Sequence, residues 1–219
     1  MSQSRLHLLH LASPALPIGA YAYSQGLEYA IDKGWVDGDA LTAWISDGLV
    51  LGLGNLDLPI LVRVHSAACE RDVSSIDHWN DLLLANRETG ELLLEDQQVG
   101  QALWRLMEAL IDEELPSLSQ GAGYATAFAV ACAQWGIDVR EALDAFCFSW
   151  LENQVTAATK LVPLGQTAAQ TLLLQLLEHV DETCTAAVAL SDESIGLSLM
   201  GVAMASGHHE RLHTRLFRS

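Results

Sequence analysis

Leu92, Val99, Leu103, Leu106 and Leu110 follow one another at intervals of seven, four, three and four residues, a spacing that places all five on one side of an α-helix. The same helical period runs through nearly the whole chain, and no run of alternating β-branched residues interrupts it. Such a pattern buries its apolar stripe only against other helices. The expected class is therefore all-α, a compact helical bundle of about ten helices with no significant sheet. The chain is 219 residues long, enough for one sizeable core, and it has neither an internal repeat nor a low-complexity linker. One domain over residues 1–219 is expected.

Local signals divide the chain into helices. Ser24 is a candidate N-cap for a helix ending at Lys33, with Gly34 placed to stop it. A second helix is expected from Asp39 to about Gly52, and a third from Asn55 or Asp57 toward Arg71, with Pro59 tolerated in its first turn. Ser75 begins a short one ending near Asn86, and Glu88 begins the longest. Past the break LPSLSQGAG, helices are expected over about Tyr124–Trp135, Arg140–Val162, Leu164–Val180 and Thr183–Met204.

Charge narrows the function classes. Eleven basic residues against 28 acidic ones leave a formal net charge of −17, which opposes the phosphate backbone of a nucleic acid. Half of the residues are hydrophobic and only 18% are charged, so some apolar surface is expected to be covered by another subunit. Neither of the longest uncharged runs considered, Leu115–Ile137 and Leu161–Leu177, resembles a membrane span, and the start MSQSRLHLLHLASPALP does not resemble a secretory signal. A cytoplasmic protein is expected. Cys69, Cys132, Cys147 and Cys184 form no CxxC pair and read as buried small hydrophobes.

The usual catalytic signatures are missing. The sequence contains neither GxxxxGK[ST] nor GxSxG. Glu152 and Lys160, or Glu91, Glu95 and Asp96, could be cast as acid and base, but carboxylates on helix surfaces are commonly just solvated. His209 and His213, four apart, look like half of a zinc helix, and His208 adjoins them. These three histidines support an alternative in another class, a helical metal-dependent enzyme or nickel carrier using the His-rich tail.

Two stretches point instead to contact with partners. In SWLENQVTAATKLVPLGQTAAQ, Lys160 is the single Lys or Arg between Arg140 and Arg211. Helical spacing puts Ser149, Asn153, Thr156 and Lys160 on the side opposite Leu151, Val155, Ala158 and Val162. The bland reading is a cation offsetting a helix C-terminus; the sharper one is a polar stripe that docks a partner. In PALPIGAYAYSQGLE, Tyr21 and Tyr23 follow a turn and have the amphipathic character of contact residues, although tyrosines under a loop are as common. The last nine residues carry Arg211, Arg215 and Arg218, a basic patch on an acidic body.

Four blocks, LASPALPIGAYAYSQGLE, NRETGELLLEDQQVGQAL, WLENQVTAATKLVPLGQTAAQ and HTRLFRS, together resemble the urease accessory protein UreF family over essentially the whole chain. The resemblance implies a helical, non-catalytic chaperone for nickel insertion into urease. Its implied partners are UreD (also called UreH), the GTPase UreG and the urease apoprotein, with a homodimer as the working form. No cofactor is expected to stay bound; nickel passes through the assembled complex. Glu28, Asp57 and Lys160 would face UreG. Tyr21, Arg215 and Arg218 would belong to the UreD side, on a tail (about residues 207–219) expected to be flexible when unbound. The sequence departs from the family's pattern at Gly90, and at His213, which stands where a tyrosine-bearing tail is usual.

Overall fold

The computed structural model describes residues 2–219, leaving aside the side chain of Asp39. Eleven α-helices account for most of these residues, and the described residues contain no strand. In chain order they are α1 (Gln3–Leu11), α2 (Leu27–Asp32), α3 (Gly38–Asp47), α4 (Asp57–Glu70), α5 (Val73–Ala85) and α6 (Gly90–Leu110). Next come α7 (Tyr124–Gln134), α8 (Val139–Leu161), α9 (Gln166–Leu177), α10 (Val180–Ala189) and α11 (Met200–His209).

α4 and α7 form the centre, the most extensive helix pairing in the molecule. α7 reads YATAFAVACAQ, and every residue from Ala125 to Cys132 is buried, so the helix is apolar all round. Its alanines let neighbours come close, and Leu58, Ile60, Leu61 and Val64 of α4 fill the contact at 0% exposure. α5 and α6 pack on one flank of this pair. On the other side α8 joins the pair to α1, α2, α9 and α10. Starts are set by short polar side chains: Asp72 accepts from Ser75 N, Thr89 from Leu92 N and Asp138 from Arg140 N.

Most boundaries fall where the sequence places them, with three corrections. The expected helix over Thr183–Met204 is two helices, α10 and α11, separated by a ten-residue irregular segment. There Gly196, at φ 104°, takes a left-handed conformation and donates its N–H to Asn55 O at 2.8 Å. Ser24 does not open α2 alone; the helix begins at Leu27, although Ser24 Oγ still accepts from Glu28 N at 3.3 Å. Leu110, counted in the apolar stripe of α6, is 52% exposed because the helix runs past the edge of the core. The helical stretch Ala40–Glu70, interrupted by a wide turn at Gly48–Gly52, has membrane-like length and hydropathy, but 61% of that window is buried inside the molecule.

Candidate partner-docking site

The C-terminal tail is not loose in this structure. After α11 the chain turns back across α2 and α6 and runs beside residues 22–24, where Arg218 N donates to Ala22 O at 2.8 Å and Ser24 N to Ser219 O at 3.0 Å. Ser24 Oγ adds a second bond to Ser219 O at 2.6 Å. Phe217 and Ser219 are buried, and the residues around them point outward. α11 can lie this close because the residue capping α2 is Gly26, where a Cβ would stand 3.0 Å from both Ala205 Cβ and Ser206 N.

Buried carboxylates hold the tail. Glu28, on the first turn of α2, accepts from Leu216 N at 2.7 Å and Phe217 N at 3.0 Å. The same Oε2 lies 3.0 Å from His209 Nε2, and His209 Nδ1 lies 2.8 Å from Glu91 Oε2 on α6. Arg215 binds the other oxygen of Glu91 at 2.7 Å and also donates to Glu210 O. One turn along α6, Glu95 accepts from Ser219 Oγ at 2.6 Å and Gln25 Nε2 at 2.8 Å. Burial pushes the Glu95 carboxyl up to about 7, against the pull of those two donors.

Of the three residues expected on the UreG side, one is exposed here. Lys160 is exposed in the last turn of α8, with Nζ 5.2 Å from the centre of the Phe217 ring. Glu28 and Asp57 correct the sequence reading: both are buried, because carboxylates on short helical turns have been drawn inward by cations and amides distant in the chain. Asp57 forms a buried triad with Arg87 and Asp96, Arg87 pairing with both carboxylates and its Nε lying 3.0 Å from Asp96 Oδ2. Burial raises the Asp57 carboxyl even beside Arg87. Burial also works against the Arg87 charge, but the two carboxylates outweigh it and keep the guanidinium protonated.

On the side assigned to UreD, Arg218 is exposed, Arg215 is occupied with Glu91, and Tyr21 is half-buried with its hydroxyl donating to Glu152 Oε2 at 2.7 Å. Burial first and Glu152 second raise the Tyr21 phenol. The polar stripe of α8 is likewise corrected. Asn153 is 6% exposed and donates to Tyr23 O at 3.4 Å, because the loop before α2 lies over it; Ser149 turns back to Phe146 O. Only its Lys160 end remains a surface. The structure thus places Lys160, Glu28 and the tail next to one another, although the sequence assigns them to two partners.

Between the loop before α2, α6 and α8 lies a cavity of about 130 Å³ bordered by Tyr21, Gln25, Glu95, Trp150, Asn153 and Gln154. Asn153 Oδ1 and Gln154 Nε2 are buried there without a protein partner. At ~30 Å³ per molecule the space suits a few waters. The histidines do not assemble a metal centre: His209 is spent on the two glutamates, His208 stacks on Tyr29 at 5.3 Å, and His213 is exposed. Among the described residues no group of three or more His, Cys, Asp or Glu could hold an ion.

Sequence signals for this site were partial. The PALPIGAYAYSQGLE and HTRLFRS blocks named both halves, but nothing in either one pairs Glu28 with a histidine 181 residues away. Comparison with known proteins bears on the same parts. A family model described as UreF matches residues 35–177. The urease accessory protein UreF of Teredinibacter turnerae is 49% identical over 221 residues, covering 100% of both chains. That of Alkalilimnicola ehrlichii is 47% identical over 215 residues (97% of this chain, 94% of the relative), and that of Chromohalobacter salexigens 46% over 214 (97% and 93%). The tail lies outside the stretch matched by the family model and inside the alignment to the first of these relatives.

Proposed function

The chain belongs to the UreF family of urease accessory proteins, and from that premise we propose that it bridges UreD (UreH) and the GTPase UreG and presents them to the urease apoprotein for nickel insertion. It is an accessory protein and not an enzyme. In this proposal it acts in the cytoplasm as a homodimer, holds no cofactor of its own, and nickel passes through the assembled complex.

The observation that carries the reading is the exposed cationic site at the tail. Lys160 stands over Phe217, and Arg218, next in the chain, is exposed, on a protein of net charge −17. Cations isolated on an acidic body select partner carboxylates and set register more than raw affinity. Lys160 then supplies the direct contact to UreG. Glu28 and Asp57 serve that face from beneath, Glu28 by fixing the tail and Asp57 by fixing Arg87. Tyr21, Arg215 and Arg218 supply the UreD side.

The test mixes the purified chain with UreD and UreG and follows a joint complex by size-exclusion chromatography. A complex containing all three supports the proposal. Its failure to form with all components folded, or its formation unchanged by Lys160→Ala and Arg218→Ala together, overturns it.

A further inference from the structure

His209 is fully buried, yet each ring nitrogen lies within 3.0 Å of a carboxylate oxygen, Nδ1 against Glu91 and Nε2 against Glu28. A neutral imidazole carries one N–H and can donate to only one of them. The other contact would then set a nitrogen lone pair against carboxylate oxygen, away from water. Both contacts are satisfied together when the ring carries two protons. The same two carboxylates hold the tail, Glu28 through Leu216 N and Phe217 N, and Glu91 through Arg215.

We propose that the junction of α2, α6 and α11 is a proton-operated latch: doubly protonated His209, shared between Glu28 and Glu91, fastens residues 210–219 to the body, and loss of one proton lets them go.

The surrounding charges favour this sense of operation. α2 presents Glu28; α6 presents Glu91 and, one turn further, Glu95; the tail presents Arg215, with the Glu210 carboxylate 3.6 Å from where a Cβ on Gly90 would stand. On α8 the facing charge is Lys160, above Phe217. The neighbouring contact of α11 with the start of α6 is neutral, Ser206 to Thr89 at 2.7 Å. Among the directly bonded groups, Glu28 and Glu91 are balanced by His209 and Arg215 while His209 is charged. Neutral His209 leaves an excess carboxylate in a site with almost no water, where unpaired charge is expensive. Glu95 works in the same direction, because it ionises near neutrality while buried against Ser219. The latch concerns this chain alone and stands whichever partner the tail meets.

Amide hydrogen exchange of the full chain tests it, with the rates at Leu216, Phe217 and Arg218 followed from about pH 6 to about pH 9. Each rate is divided by its intrinsic value at that pH, and buried amides of α4 and α7 serve as the internal reference. Charge-assisted hydrogen bonds of this kind correspond to a protection loss of at least about tenfold across the range. The His209 ring, followed by NMR, titrates over the same step. In His209→Gln the tail is unprotected throughout and the step is absent; Glu95→Gln keeps the step at the His209 midpoint. Constant tail protection in the native protein overturns the latch. So does a step that survives in His209→Gln, that vanishes in Glu95→Gln, or that occurs while the His209 ring fails to titrate. The native profile and ring titration decide the matter even if His209→Gln does not fold.

Discussion

The α4–α7 centre and the tail clamp are both buried, but by opposite chemistry. The centre is built mainly of apolar side chains such as Ala125, Phe128, Ile60 and Leu61, with its backbone bonded largely within the two helices. The clamp buries Glu28, Glu95 and His209, with Glu91 partly covered, beside a length of backbone that has no helix of its own. Apolar burial, at ~25 cal/mol per Å², is indifferent to protons. Charge burial is stable only while its partners are present and correctly protonated. One region therefore sets whether the molecule folds, and the other sets what its surface looks like under given conditions.

The sharpest way to separate the two is Leu61→Ala. It opens a cavity in a contact of 0% exposure and should cost about 2–5 kcal/mol in chemical denaturation. The loss should be the same at about pH 6 and about pH 8.5; a strongly pH-dependent loss would mean that the centre and the clamp unfold as one unit. Glu95→Gln should have a smaller effect of opposite sign. Its carboxyl rises from 4.5 to about 7 on folding, so the group favours the folded state below 4.5 and loses that contribution as pH climbs to about 7. At about pH 8 the glutamine form should be more stable by ~1–3 kcal/mol, with no gain near pH 4. Equal stability at both pH values would show that Glu95 is not held against its charge.

Lys160→Ala should be the mildest change. Its ammonium is exposed and touches only the Phe217 ring, so stability should shift by ~0.5 kcal/mol or less while UreG recruitment weakens. A melting temperature lowered by more than a few degrees would place Lys160 with the clamp's structural groups, not on the contact surface.

Helical period and capping chemistry made most of the fold readable before any coordinates. Pro59 does sit in the first turn of α4, α2 stops before Gly34, and Lys160 lies in the last turn of α8. The break at 190–199 was hidden because Leu190 and Leu197, seven apart, continue a plausible helical spacing, while the left-handed turn rests on one glycine and a bond to Asn55. The site was legible as blocks but not as geometry. Glu28 and Asp57 look like ordinary surface carboxylates, because what draws them inward is His209 with the amides of residues 216 and 217 in one case and Arg87 in the other. His209 and His213 invite a metal through their spacing alone. The fold instead buries the first and leaves the second in solvent.

The bond from Ser24 N to Ser219 O joins residues 195 positions apart in the chain, and Glu28 meets its two amide donors 188 and 189 positions later. Closing so long a loop is slow compared with forming helices from neighbouring residues. Glu28, Glu91 and Glu95 all precede in the chain the segment that covers them, so the carboxylates of the clamp are synthesised before the donors that hold them.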